Sequence, residues 1–169
     1  KKAAHALAKG LTVGWYQNNG EIGPRALGNR SILCDPRIPN AKEIVNQIKR
    51  RENYRPFGAS ILSEYTSEYF EESFDSPYML YVFNTRKNNL DSIKHVDGTC
   101  RIQTVDSSQT VYHKLLTEFY KITGCPVLLN TSLNVAGKGI AGSTRDAKKI
   151  FFETPLDILF IGNTVYDKK

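Results

Sequence analysis

Residues 126–130 read PVLLN, a short apolar stretch of the kind found in strands that are buried on both faces of a sheet. DILFIG at 157–162 indicates a second buried strand. Before and between them, strand-like segments alternate with segments whose apolar residues keep helical spacing, without repeats or low-complexity linkers. This alternation predicts a single α/β domain, in which helices flank a twisted mixed β-sheet.

The predicted elements follow one another along the whole chain. Strands are expected at 11–17, 31–34, 58–63, 77–85, 101–105, 126–130 and 157–162. Helices are expected at 1–9, at 41–48, over the acidic and aromatic stretch 63–74, at 108–123 and at 144–153. Asn40 and Ser143 are predicted to cap the second and the last of these helices.

Length and composition exclude few classes of protein. A chain of 169 residues can bury a hydrophobic core without disulfide bonds or a structural metal. Its 40% hydrophobic and 24% charged residues are typical of soluble globular domains. No apolar run approaches the roughly 18 residues of a membrane helix, and no signal peptide opens the chain. The three cysteines lack metal-ligand spacing, so we predict no zinc site and a reducing, cytoplasmic setting. The first residue is Lys1, which suggests a piece of a longer protein.

The formal net charge of +6 has two interpretations. A nucleic-acid surface would need lysines and arginines clustered on one face, whereas a pocket for small anions needs a few cations that converge. Because the basic residues are spread along the chain, we favour a solvated surface with a local pocket over nucleic acid.

The stretch GEIGPRALGNRS at 20–31 lies between two predicted strands. Its glycines allow unusual backbone conformations and Pro24 stiffens the turn, so the loop should be shaped. Arg25 and Arg30 would then present guanidinium groups to a phosphate or carboxylate. The alternative is a tight turn with two solvated arginines.

The stretch KRRENYRPF at 49–57 holds four cations. On a helix, Lys49 and Arg51 would face opposite ways, but in an extended segment they share a face with Arg55. We therefore expect the preceding helix to end near Gln47 or Ile48 and the three cations to point to one side, around an anion. The alternative is a solvated basic run that favourably ends a helix.

Polar side chains also occur within or directly after predicted strands. Arg101 lies opposite the apolar Ile102, and Asn130, Ser132 and Asn134 follow the apolar residues of the PVLLN stretch. Ligands of α/β sheets collect at the carboxyl ends of strands, so these groups could hold phosphate oxygens, a ribose or a carbamoyl group. Asn-Thr-Ser could equally be an ordinary turn, and the nearby Gly-Lys-Gly lacks the spacing of a Walker loop.

Five strings together resemble the C-terminal domain of the NodU/CmcH-type O-carbamoyltransferases: EIGPRALGNRSILCDPR, KRRENYRPFGASIL, HVDGTCRIQTV, PVLLNTSLN and LDILFIGN. They span nearly the whole chain. The resemblance implies a YrdC-like fold over residues 1–169 and a transferase whose N-terminal, sugar-kinase-like domain is absent from this chain. That missing domain would bind a metal and the hydroxylated small-molecule acceptor.

The resemblance also implies a function. The YrdC-like domain would bind ATP and carbamoyl phosphate and form carbamoyl adenylate, which the partner domain transfers to the acceptor. Mg²⁺ could accompany the ATP, with Glu21 and Asp97 as candidate ligands, although the stretches contain no evident metal site. The alternative is a basic RNA- or nucleotide-binding YrdC-like module without turnover.

The resemblance finally assigns roles to residues. The Lys-x-Arg and Ser-x-Asn pairs of YrdC-like domains match Lys49 with Arg51 and Ser132 with Asn134, which are therefore the expected catalytic residues. Further polar positions of the family strings imply substrate or nucleotide binding by Arg25, Arg30, Arg55, Arg101 and Asn130.

Overall fold

A mixed sheet of eight strands runs through the protein, which is described by a computed structural model at residues 1–17 and 19–168. The strands are β1 (Val13–Tyr16), β2 (Arg30–Cys34), β3 (Gly58–Leu62), β4 (Tyr81–Asn84), β5 (Thr99–Val105), β6 (Val127–Ser132), β7 (Ile158–Ile161) and β8 (Thr164–Asp167). The helices are α1 (Lys2–Ala8), α2 (Ala41–Lys49), α3 (Thr66–Tyr69), α4 (Thr110–Thr123) and α5 (Thr144–Glu153), with short 3-10 turns at Ser63–Tyr65 and Asp91–Ile93.

The strand order across the sheet is β4-β5-β3-β6-β2-β1-β7-β8. Strands β3 and β5 run parallel, as do β1 and β7, and the remaining neighbours are antiparallel. The predicted α/β domain with a mixed sheet is therefore confirmed. Among the described residues, no helix is both long and apolar enough to cross a membrane.

The PVLLN stretch forms the middle of this sheet, where β6 pairs with β2 on one side and β3 on the other. Successive strand residues point to opposite faces, and both Leu128 and Leu129 are 0% exposed. Both faces are therefore covered at β6, as the continuous apolar run predicts. Burying each such side chain contributes roughly 1.5–3 kcal/mol to stability.

Several predicted elements differ from the structure. The expected helix over 63–74 is wrong: it is a 3-10 turn followed by the single turn α3, after which Phe70 forms an isolated bridge with Thr85. The expected strand 77–85 is shortened to β4, because Met79 has a φ of 56° and turns the chain away from the extended conformation. Strand β8 was not predicted, since its short and partly exposed sequence carries little apolar signal.

The two predicted N-caps have different outcomes. Ser143 is confirmed: its side chain accepts a hydrogen bond from the Asp146 N–H, and the Asp146 carboxylate accepts one from the Ser143 N–H. Asn40 precedes α2, but its side chain makes no capping hydrogen bond. Its φ of −103° and ψ of 17° lie outside the extended region from which a side chain reaches back to the helix.

Candidate functional site

A basic pocket of about 310 Å³ opens where the loop 20–29, the end of α2, strands β5 and β6 and the loop after β6 meet. Its lining includes the cations Arg25, Lys49, Arg51, Arg55 and Arg101. It also includes the polar side chains of Asn130, Ser132 and Asn134. None of the described residues that line this basic pocket is acidic, so its positive charge is uncompensated within it.

The sheet register explains why the floor residues meet. Gly58 of β3 lies opposite Arg101 of β5 and opposite Asn130 of β6, so these three positions share one face of the sheet. Ser132, two residues beyond Asn130, lies on that face as well. The space over Gly58 is taken by the Met79 side chain, since a Cβ at Gly58 would lie 2.6 Å from Met79 Sδ, and Met79 lines the pocket together with Arg101 and Asn130. The register therefore brings together residues that are about 30 positions or more apart in the sequence.

Lys49 is the most deeply buried cation of the pocket, at 4% exposed. Its Nζ donates to the backbone oxygen and Oγ of Ser132, at 2.6 and 3.2 Å, and to the backbone oxygen and Oδ1 of Asn134, at 3.2 and 2.7 Å. Burial, and then the neighbouring Arg51, lower the pKa of Lys49 to about 7. Lys49 thus connects the predicted Lys-x-Arg and Ser-x-Asn pairs in one cluster whose charge depends on pH.

Arg51 and Arg55 reach the pocket by a different route from the one the sequence predicts. Helix α2 continues to Lys49, and Arg50 then adopts the left-handed conformation, with φ of 52° and ψ of 50°. This residue reverses the chain, so that Lys49 and Arg51 both line the pocket although no extended segment connects them. The helix thus ends one residue beyond Ile48, close to the expected end near Gln47 or Ile48. The expected extended geometry is wrong, whereas the convergence of Lys49, Arg51 and Arg55 is observed.

The pocket has a gradient of exposure from floor to mouth. Arg101 is partly buried, while Arg25 and Arg55 are exposed at the mouth. Burial, and then the charge of Arg55, lower the pKa of Arg51; burial, and then Arg25, lower the pKa of Arg101. These shifts show that the guanidinium groups lie close enough to repel one another, a repulsion that a bound anion would offset.

Two buried polar atoms at the floor have no hydrogen-bond partner within the described part of the chain, namely Arg101 Nε and Asn130 Oδ1. Buried polar atoms are nearly always satisfied, so these two mark places where a ligand or solvent would bond. Asn130 Nδ2, in contrast, donates to Ala26 O, Ser60 Oγ and Gln103 Oε1 at 3.1, 2.9 and 3.2 Å. Asn130 therefore also holds the loop 20–29, and it lies within β6 and not after it.

The loop 20–29 is shaped by buried polar contacts. Glu21 Oε1 accepts hydrogen bonds from the backbone N–H groups of Leu27, Asn29 and Arg30 at 2.9, 2.8 and 3.0 Å. Gln103 Nε2 donates to Leu27 O at 3.0 Å. These contacts fix the backbone on both sides of Arg25 and so place its guanidinium at the pocket mouth.

Arg30 does not line the basic pocket, and its predicted role in substrate binding is not supported by its position. It is the first residue of β2, where it pairs with Tyr16. Since Ser31 pairs with Ser132 on the pocket face, Arg30 points to the opposite face. Its guanidinium lies 3.5 Å from the centre of the Tyr16 ring and donates to the backbone oxygens of Gln17 and Asn29.

The candidate Mg²⁺ ligands are both engaged elsewhere. Glu21 holds the loop as described, and Asp97 Oδ1 accepts from the N–H and Oγ1 of Thr99 at 3.0 and 2.7 Å. Within residues 1–17 and 19–168, no three acidic, histidine or cysteine side chains cluster as a metal site would require. The residues present do not fit a protein-held Mg²⁺, and we assign no step to the ion.

Sequence reasoning missed two residues that shape the site. Asn46 contacts the loop that carries Arg51 and Arg55, and Gln103 holds the loop that carries Arg25. Asn46 lies between the apolar positions Val45 and Ile48 of α2. A polar amide on a buried helix face needs hydrogen-bond partners, and this feature could have indicated its role. Gln103 lies two residues after Arg101 and therefore on the same face of β5, and this shared face could have indicated that Gln103 belongs to the site.

Comparison with known proteins gives a consistent family. The family model described as "Carbamoyltransferase C-terminus" matches residues 4–168. Nodulation protein NolNO of Sinorhizobium fredii is 43% identical over 99% of this chain, which covers 26% of that protein. The 3'-hydroxymethylcephem-O-carbamoyltransferase of Amycolatopsis lactamdurans is 40% identical over 96% of this chain, which covers 32% of that enzyme. The chain thus spans a third or less of the length of these relatives.

Solved structures show the same fold at low sequence identity. P. abyssi Sua5, solved with L-threonine, has a TM-score of 0.68 and 14% identity, covering 95% of this chain and 46% of that one. Full-length HypF in a phosphate- and nucleotide-bound form has a TM-score of 0.66 and 17% identity, covering 96% of this chain and 24% of that one. The YrdC-like fold predicted from the sequence is thereby confirmed.

Proposed function

Because this chain belongs to the family of carbamoyltransferase C-terminal domains, we propose that its basic pocket binds ATP and carbamoyl phosphate and joins them as carbamoyl adenylate. In the whole protein, the carbamoyl group would then pass to a hydroxyl acceptor bound by an N-terminal partner domain. The relative from Amycolatopsis lactamdurans carries the name of such an O-carbamoyltransferase.

The observation that carries the proposal is the convergence of five cations, without an acid among the described lining residues, in one pocket. Both substrates are polyanions that must meet closely. Two unit charges 4 Å apart interact by about 4 kcal/mol at an effective dielectric of 20, which opposes their approach. Lys49, Arg51 and Arg101 offset this repulsion from the floor of the pocket, and Arg25 and Arg55 from its mouth.

The reaction needs positioning more than protein nucleophiles. Water cleaves carbamoyl phosphate into carbamate, phosphate and a proton; a carbamate oxygen then attacks the α-phosphorus of ATP, forming carbamoyl adenylate and releasing pyrophosphate. Charge stabilisation and alignment are most of what such transfers require of a protein. Ser132 Oγ donates to Asn134 Oδ1 at 2.6 Å, and the Lys49 ammonium donates to oxygens of both residues. When the substrates bind, these two donors would exchange such bonds for bonds to the phosphate and carbamoyl oxygens and so orient them.

The proposal is tested by following both substrates at once with ³¹P nuclear magnetic resonance. We expect pyrophosphate and AMP-linked product to form only when ATP and carbamoyl phosphate are both present, with one phosphate released for each pyrophosphate. A parallel experiment uses RNA in place of the substrates and measures its binding to the protein at two salt concentrations. Steep salt-dependent RNA binding without any ATP binding would instead favour the nucleic-acid module.

The affinity for ATP should fall as pH rises above 7. Free Lys49 has a pKa of about 7, and a bound phosphate favours its charged form, so binding raises that pKa and takes up a proton. Above pH 7 more of the free protein is neutral at Lys49, and the affinity should fall by up to about tenfold per pH unit.

This pH dependence is measured by calorimetric titration of ATP at pH 7.5 and 8.5, where the nucleotide itself is almost fully ionised. Buffers with different ionisation enthalpies report the proton uptake directly. Equal affinities at the two pH values, with binding heats that do not depend on the buffer, would contradict a titrating Lys49.

A further inference from the structure

The turn that follows α2 is built around an unusual residue. Arg50 is in the left-handed conformation, which costs about 1 kcal/mol or more for a residue other than glycine. Its N–H donates to Gln47 O at 3.0 Å, and the Arg51 N–H donates to Asn46 O at 3.1 Å. This pair of bonds is the Schellman arrangement that ends many helices. The turn therefore needs additional contacts to be held in one conformation.

The side chain of Asn46 supplies such contacts. Asn46 is 0% exposed. Its Oδ1 accepts from Arg51 Nε at 2.7 Å, and its Nδ2 donates to Asn53 O and Arg55 O at 3.3 and 3.1 Å. One buried amide thus bonds one guanidinium directly and the backbone of two later residues of the same turn.

These bonds matter because arginine side chains are otherwise flexible. Ordering one arginine costs up to about 2 kcal/mol of conformational entropy, which a bound anion must offset unless the protein has already done so. Arg51 Nη2 donates to Pro56 O at 3.3 Å, and its Cζ lies 4.4 Å from the centre of the Phe57 ring, so the guanidinium is clamped between Asn46 and the end of the loop. Arg55 is half exposed and lies 3.7 Å from Glu52, so its position depends mainly on its backbone.

We propose that Asn46 is a positioning residue, which orders Arg51 and Arg55 for anion binding without itself contacting the ligand. Asn46 does not line the basic pocket but borders the cleft on the other side of the loop. The inference rests on the proposed binding of ATP in the basic pocket. It adds to that proposal the reason why two arginines of a surface loop hold a defined geometry.

The test is a double-mutant cycle on ATP affinity in the 169-residue chain. Asn46→Ala should weaken ATP binding by roughly 10-fold or more in the wild-type background, since the ordering of the loop is lost. In a background that carries both Arg51→Ala and Arg55→Ala, the same substitution should weaken binding by no more than about threefold, since neither arginine is left to be ordered. Gln47→Ala removes an exposed amide one residue along α2 and is the matched control, which should bind ATP as the wild type does.

A purely structural role would lower the thermal midpoint but reduce affinity equally in both backgrounds, and that result overturns the inference. Asn46→Ser serves as the second variant if alanine prevents folding, because its hydroxyl is too short to reach the three partners. Wild-type affinity in Asn46→Ala or Asn46→Ser also overturns the inference, while leaving the proposed function intact. Absence of ATP binding by the wild type overturns both.

Discussion

Replacing Lys49 with methionine is expected to weaken ATP and carbamoyl phosphate binding by at least about 100-fold, or about 3 kcal/mol. Lys49 is 4% exposed, so its charge acts in a medium where little solvent screens it. It also bonds both Ser132 and Asn134, and these groups lose their common donor in the variant. One substitution therefore removes a cation and the contact that aligns the Ser-x-Asn pair.

Stability should change little in the same variant, because two effects oppose each other. Methionine removes the Lys49 donor from the Asn134 backbone oxygen and leaves the Ser132 backbone oxygen with the Asn134 N–H at 2.9 Å, but it also removes a buried ammonium whose charged form the fold disfavours. The pKa of Lys49 is lowered from 10.5 to about 7, so this group reduces the free energy of unfolding fully below pH 7 and progressively less as pH rises toward 10.5. We expect the largest relative gain of the variant at or below pH 7.

The measurements are calorimetric titration and thermal unfolding, with Lys114→Met as the control. Lys114 lies exposed on α4, so this variant loses the same charge away from the basic pocket. It should retain wild-type affinity. A Lys49→Met protein that is folded and binds both substrates normally would show that the Lys-x-Arg pair is not part of the site.

Much of the sheet could be predicted because its apolar pattern is local. PVLLN has no polar residue before Asn130, and Leu128 and Leu129 are buried on opposite faces, so the pattern reports a covered strand directly. Strand β8 could not be predicted in this way. It pairs with β7, whose residues are mostly buried, but its own residues are partly or fully exposed and give no apolar pattern.

Site residues could be predicted from the sequence where they lie inside a strand, because the direction of their side chains then does not depend on where the strand begins. Arg101 and Asn130 lie well inside strands whose faces the apolar residues define. Arg30 lies at the first position of β2, next to a loop, and a shift of one residue there moves a side chain to the other face. The family string does not specify the face, and the position of Arg30 does not support the binding role that the resemblance implies.

The contacts of the loop after α2 could not be predicted from the sequence, because they depend on the backbone conformation of a single residue, Arg50. Neither a helical nor an extended geometry of residues 49–55 contains the left-handed Arg50. Arginine rarely adopts this conformation, so no residue preference indicates it. Once the turn is known, the role of Asn46 follows from three hydrogen bonds.

The Gly28→Ala variant should lose about 3–5 kcal/mol of stability, from backbone strain of about 1–3 kcal/mol and from overpacking of similar size. Gly28 has a φ of 101°, and a Cβ at this position would lie 2.3 Å from Cδ1 and 2.4 Å from Cγ of Tyr112. Tyr112 lies on α4 and is only 3% exposed, so its ring has little space in which to move away from the added Cβ. Since 1 kcal/mol corresponds to roughly 2–4 °C in a domain of this size, the thermal midpoint should fall by about 10 °C.

The same substitution should weaken ATP binding, because Gly28 O accepts from Trp15 Nε1 at 3.0 Å and anchors the loop that carries Arg25. Two other glycines of this loop separate the causes. Gly23 has a φ of 95° and open space around it, so Gly23→Ala should show strain alone, and Gly20→Ala, without positive φ or neighbours within 4 Å, should be nearly neutral. If Gly28→Ala unfolds at the same temperature as Gly20→Ala, the close packing of this loop against Tyr112 is refuted, and with it the explanation for how Arg25 is held at the pocket mouth.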